Sequence, residues 1–123
     1  MAVTFTRINP YAAACLSRSL IELLGAKWTI LVVGCLTDGT RRFSELSKLI
    51  DGITAKELTR TLRQLERSGL VIRTVHPVVP PRVDYELSAL GKTLRDPIEA
   101  ILEWTDGHID ECLEAQERFD AVT

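Results

Sequence analysis

Lys56, Arg60, Arg63 and Arg67 stand at offsets of four, seven and eleven residues from the first of them. On a helix that turns about 100° per residue, this spacing stacks four cations along one face. Leu58, Leu62 and Leu65, at offsets of four and seven, fall on the opposite face. Such a helix has an apolar keel to bury and a basic ridge to lay against a polyanion. Other cations and side chains could extend the ridge: Thr54 and Thr59 on the same segment, the pair Arg41–Arg42 upstream, and Arg82 downstream. Arg is suited to this work because its planar fork can pair bidentately with phosphate or with guanine O6 and N7.

The remaining reactive residues are sparse. Cys15, Cys35 and Cys112 are too far apart for a disulfide framework or a zinc site. Cys35 lies in an apolar stretch and reads as core. His76 and His108 are isolated, with no acidic or thiol partner at a recognisable spacing, and His76 reads as strand-end surface. No glycine-rich phosphate loop or metal-spaced cluster appears. Enzyme chemistry has no constellation to rest on, and neither a cofactor nor a metal is expected.

The elements that position the ridge can be read next. Thr54 and Glu57 have the spacing of a capping box, and Ile53 with Leu58 that of a hydrophobic staple, so the helix start within residues 53–70 is doubly specified. Upstream, residues 17–24 form a short helix with Leu20, Leu23 and Leu24 inward, ended by Gly25. Residues 27–37 are apolar almost all round, as in a central buried helix. Residues 43–50 form a third helix, with Phe43, Leu46 and either Leu49 or Ile50 inward. The turn Asp51-Gly52-Ile53 then joins two short helices as a helix-turn-helix. Gly69 ends the basic helix, residues 70–76 are rich in β-branched types, and Val83, Tyr85 and Leu87 alternate with polar neighbours. The proline-rich segment 77–82 between them is a hairpin loop holding Arg82 at its tip, since proline is excluded from a central ladder. A two-stranded ribbon directly after the basic helix is the wing of a winged helix, and an Arg at its tip can enter a narrow minor groove.

Composition narrows the partners. The chain has 123 residues, 46% hydrophobic and 26% charged, as expected for one globular domain spanning residues 1–123. The longest apolar run, residues 28–36, is too short to cross a bilayer, and residues 1–14 carry no secretory signal pattern, so no membrane is expected and a reducing cytoplasm is the expected setting. The net charge of −2 averages over opposite ends. Residues 41–82 hold nine basic and four acidic side chains, a balance of +5, whereas residues 95–123 hold two basic and nine acidic, a balance of −7. This segregation lets one end approach phosphates while the other stays in solvent.

Several motifs together resemble the HxlR family of bacterial transcription regulators. They are Leu24-Gly25-Ala26-Lys27-Trp28-Thr29, similar to the family's Ile-Gly-Gly-Lys-Trp signature; Arg41-Arg42-Phe43-Ser44-Glu45-Leu46; residues 58–70; and Val79-Pro80-Pro81-Arg82-Val83-Asp84-Tyr85. They follow the family's order over roughly residues 15–105. The resemblance implies a small dimeric winged-helix protein, related in architecture to the MarR group, that represses or activates nearby genes. The expected fold is α+β and mostly α: a winged helix-turn-helix over about residues 15–87, with a two-stranded wing and with N- and C-terminal dimerisation helices, the latter over residues 88–119. It further implies double-stranded DNA and a second copy of the chain as partners, and a pseudo-palindromic operator. A winged helix used for contact with an acidic protein is the alternative.

On this reading the DNA-binding set is Arg41, Arg42, Thr54, Lys56, Thr59, Arg60, Arg63 and Arg82. Lys56, Arg60 and Arg63 are the readers and Arg67 a clamp or solvated charge; which Arg meets a base and which a phosphate stays open. Beyond residue 88, Ser88 can cap a helix from Ala89, with Leu90, Leu94, Ile98, Ile101 and Leu102 apolar, a kink at Pro97 and a break near Gly107. Residues 109–119 then form a last acidic helix. By the resemblance Cys15 occupies a position that family members use to sense oxidants or electrophiles, although Leu16 follows it where the family often has proline. Cys112 is a candidate resolving partner, and an oxidant or small electrophile the candidate inducer.

Overall fold

The structure is a computed structural model that describes residues 16–122 together with Asn9 and Tyr11. Its elements are α1 (Leu16–Gly25), α2 (Lys27–Leu36), β1 (Arg41–Arg42), α3 (Phe43–Leu49), α4 (Ala55–Arg67), β2 (Val71–His76), β3 (Arg82–Leu87), α5 (Ala89–Lys92) and α6 (Arg95–Val122). Apolar α2 is the hub, in contact with α1, α3, α4, β3 and α6. Its Thr29, Val32, Val33 and Leu36 are buried. The expectation of burial all round holds on one side only. Leu31 is exposed and Trp28, Ile30 and Cys35 are half-buried, because the neighbouring elements leave part of the circumference uncovered.

Leu46 of α3 and Ile50 just beyond it are buried, whereas Leu49 is exposed, which settles the choice between the last two. Gly52 has φ +85°, a left-handed conformation that a side chain would strain, and it turns the chain from α3 into α4. On α4, Leu58, Leu62 and Leu65 are at most 1% exposed. Each such leucine contributes roughly 1.5–3 kcal/mol through burial.

The sheet has three antiparallel strands in the order β1-β3-β2. Val71 faces Leu87, Arg73 faces Tyr85, and His76 faces Arg82. The wing is therefore the expected two-stranded ribbon with an unexpected third strand, since Arg41 and Arg42 pair with Tyr85 and Asp84. Two residues are too few to show an alternation, so only the tertiary pairing defines β1.

The C-terminal expectations need more correction. The break falls early, at Thr93 and Leu94, between a one-turn α5 and a continuous 28-residue α6. Pro97 is the third residue of α6, where its missing N–H is an orphan in any helix and causes no kink. Gly107 passes through α6 without interrupting it. Ser88 does cap α5, its Oγ accepting from the Gly91 N–H at 2.9 Å. Gly91 is required there, because a Cβ would lie 2.0 Å from the Leu70 carbonyl oxygen. Leu20, expected inward, is exposed, and so is the apolar Leu90. At the start of α6 Ile98 is buried, and Leu102 packs over Gly34 of α2. No single helix among the described residues is long and apolar enough to cross a membrane.

Candidate nucleic-acid interface

The interface begins with the cap of α4. Thr54 is extended, at φ −80° and ψ 157°. Its hydroxyl accepts from the Glu57 N–H at 3.1 Å, and Glu57 Oε1 accepts from the Thr54 N–H at 3.1 Å. The carboxylate's second oxygen accepts from the Trp28 indole N–H at 2.6 Å, so α2 fixes where α4 starts. The Lys27 ammonium lies 4.1 Å from the Trp28 ring centroid. The Thr54 backbone N–H, then the Thr54 side chain, and after them the Trp28 indole and the Lys27 charge hold the Glu57 carboxyl below its usual range against the opposing effect of burial. The capping box was legible in the sequence, but the Trp28 tie was not.

With its keel buried, α4 turns Lys56, Thr59, Arg60, Arg63 and Arg67 outward, all exposed. Among the described residues these four cations make no ion pair. Thr54 is exposed at the same helix's start. The geometry thus brings Lys56, Thr59, Arg60 and Arg63 onto one outer surface, and leaves Thr54 at the helix start with its hydroxyl held in the cap.

The other predicted cations differ from them. Arg82 does not stand at the wing tip. It opens β3, and its Nη2 donates to Asp84 Oδ2 at 3.3 Å. Asp84 Oδ2 also lies 2.8 Å from His76 Nε2, so His76 has the acidic partner that its sequence neighbourhood did not suggest. The tip itself is residues 77–81, with Val79 fully exposed. Arg41 is half-buried: its Nε donates to the Cys35 carbonyl at 3.3 Å, and its Nη1 lies 4.0 Å from Glu45. Arg42 is exposed, and its backbone N–H donates to Glu45 Oε1 at 3.0 Å, closing the start of α3. Arg73, absent from the sequence reading, is exposed on β2, on the sheet face it shares with Tyr85. Its signal was an Arg at the inward position between Val71 and Val75.

Away from the basic face, the distal part of α6 carries Ile101, Trp104, Ile109 and Leu113, each about half exposed, and α1 exposes Leu20 and Ile21. Cys112 is half-buried on α6. Burial pushes the Cys35 thiol up, opposed by the Arg41 guanidinium. Cys15 lies outside the described residues.

Comparisons with known proteins match this architecture. The sequence profile of the HxlR-like helix-turn-helix family matches residues 23–112. The uncharacterized HTH-type transcriptional regulator YtfH of Escherichia coli is 35% identical over 105 residues, covering 85% of this chain and 83% of the relative. The solved structure of ytfH from Salmonella typhimurium superposes with a TM-score of 0.85 at 35% identity, covering 89% of this chain and 97% of that one. The redox regulator HypR in its oxidized form superposes with a TM-score of 0.70 at 34% identity, covering 76% of this chain and 96% of that one. The fold is the winged helix of these regulators, and the relatives are regulators rather than enzymes. The chain belongs to the HxlR-like helix-turn-helix family and is a transcriptional regulator of helix-turn-helix type.

Proposed function

We propose that the chain acts as a homodimer that binds a pseudo-palindromic operator in duplex DNA and represses a neighbouring gene. Each subunit lays the N-terminal half of α4 in a major groove, with half-sites about 34 Å apart, one DNA turn. The observation that carries this is the outer face of α4, where Lys56, Arg60, Arg63 and Arg67 are exposed and, among the described residues, have no protein anion to neutralise them. Thr59 adds a hydroxyl to the same surface, and Thr54 stands exposed at the start of the helix. Arg42 supports it from the start of α3, whereas Arg41 and Arg82 are already engaged and contribute less. Support for the dimer comes from the exposed apolar side chains of α6 and α1, which a second copy would cover.

Arg60→Ala weakens binding to a selected operator duplex at least about tenfold, or 1.4 kcal/mol, with the oligomeric state unchanged. Unaltered affinity would remove α4 as the reading helix. A steep decline of affinity with salt separates duplex DNA from an acidic protein partner.

A refinement is that oxidants or electrophiles release the operator through Cys15, with Cys112 as resolving thiol. The family position of Cys15 and the likeness to HypR, a redox regulator, support it. Diamide or a quinone then abolishes operator binding by the parent and spares Cys15→Ser. Equal loss in both proteins would rule out Cys15 as trigger.

A further inference from the structure

Between α4 and the wing lies a cleft lined by Thr59, Leu62, Arg63, Glu66, Arg73 and Tyr85. Two of these residues are arginines from different elements, Arg63 from α4 and Arg73 from β2. Neither forms an ion pair among the described residues. Other arginines of the molecule have found partners, Arg82 on Asp84 and Arg41 on the Cys35 carbonyl and Glu45. Two like charges sharing a cleft repel each other, so an anion between them is favoured. The cleft is furnished to hold one: Thr59 offers a hydroxyl, while Leu62 and Tyr85, both buried, form an apolar floor. Glu66 also lines the cleft, and its single carboxylate is outnumbered there by the two guanidinium groups.

Arg63 also lines the open groove along the outer face of α4, with Lys56 and Arg60. Among the described residues it is thus the cation common to the outer ridge and the cleft, with Thr59 beside it in both. Arg60 lines the ridge alone.

We infer that Arg63 and Arg73 together grip one backbone phosphate of the bound duplex in this cleft, leaving Arg60 and Lys56 as the base-reading cations of α4. The inference rests on the proposed DNA-binding function and divides its residues into two kinds. A phosphate contact fixes the register of the helix in its groove and carries no sequence information, whereas a base contact does. Arg73 becomes a positioning residue that aims α4 from the wing side, and it takes the place that the sequence reading gave to Arg82.

The test uses the full-length protein with two probes, a duplex selected from a random oligonucleotide pool and a scrambled duplex of the same length. Arg63→Ala and Arg73→Ala each weaken binding to both duplexes by a similar factor, about three- to tenfold, and reselection with either variant returns the parental base preferences. Arg60→Ala instead relaxes preference at a defined position. When both arginines are removed, the slope of log affinity against log salt falls in magnitude by about 1, the value for a single phosphate. A fall of about 2 would mean two separate phosphates, and no fall would mean that the cleft does not touch DNA; either overturns the inference. So would a changed base preference in Arg63→Ala. A parent protein that binds neither duplex would overturn the DNA-binding reading itself, and this is distinguishable because the parental slope is measured first. Both side chains are exposed and without ion-pair partners, so the variants keep the parental thermal unfolding, which is checked alongside.

Discussion

Helices α4 and α6 are built from the same kinds of residue and use them in opposite ways. The first buries its apolar face completely and leaves its cations without ion-pair partners among the described residues. In α6 only Ile98 is buried, and Ile101, Trp104, Ile109 and Leu113 stay about half exposed among acidic neighbours. A buried keel makes α4 a rigid part of the monomer whose unsatisfied surface is electrostatic. Along α6 the unsatisfied surface is hydrophobic, and its 28 residues span about 42 Å. Two different partners are called for, a polyanion at one end and apolar surface at the other.

The largest effect that separates the two helices is on stability. Leu62→Ala, at a fully enclosed site, costs about 2–5 kcal/mol, read from the denaturant midpoint. Trp104→Ala in dilute protein changes stability by less than about 0.5 kcal/mol. Similar losses from both would mean that α6 is as much a part of the monomer core as α4, and the contrast would collapse.

The second break is in assembly. Ile109→Glu combined with Leu113→Glu weakens self-association at least about 30-fold, or 2 kcal/mol, by sedimentation, because two carboxylates would have to be desolvated on the proposed dimer face. Arg60→Ala leaves association untouched. A monomeric parent, or an undisturbed dimer in the double variant, would move the dimer contact elsewhere.

These two helices were also unequally legible. In α4 the cap, the keel and the ridge are all local, spaced within thirteen residues, so the sequence displays them. The rules that broke α6 in the sequence reading depend on position: Pro97 stops a helix from its interior but not from its first turn, and a single Gly107 costs about 1 kcal/mol in a helix that has other support. The wing ribbon was readable from alternation and prolines, whereas β1 exists only through pairing with β3. The same holds for side chains. Arg82 and Asp84, two residues apart on β3, share a face by local alternation, whereas the approach of His76 to Asp84 and the face that Arg73 shares with Tyr85 follow from the strand register, which no local pattern reports.

A third, smaller effect sharpens the account of α4. Thr54→Ala removes the hydroxyl that accepts the Glu57 N–H and costs about 1 kcal/mol of stability, with a larger relative loss in operator binding because the helix start is no longer held. Loss of stability without loss of binding would mean that the cap supports the fold but does not aim the ridge.

The smallest effect concerns acid. The folded protein holds the Glu57 carboxyl below its ordinary range, first through Thr54 and then through Trp28 and Lys27. A group whose folded pKa is depressed adds stability that is fully present above the unfolded value, about 4.3 for Glu, and is lost as pH falls through the folded value. The stability contributed through the α4 cap therefore begins to decline below the unfolded value of about 4.3, where the unfolded chain takes up the proton first. It is gone once the folded Glu57 carboxyl protonates at its lower value. A single unfolding curve reports the acid response of the whole molecule and not of Glu57 alone. Comparison with Glu57→Gln separates them, since Gln keeps an acceptor for the capping box but cannot titrate. The parent is the more stable at pH 6, and the gap closes as pH falls through the folded value of Glu57, since the rest of the molecule is common to both proteins. A gap that stays constant from pH 6 to pH 3 would show that the Glu57 charge contributes nothing beyond its hydrogen bonds, and that α4 is held at its origin by shape alone.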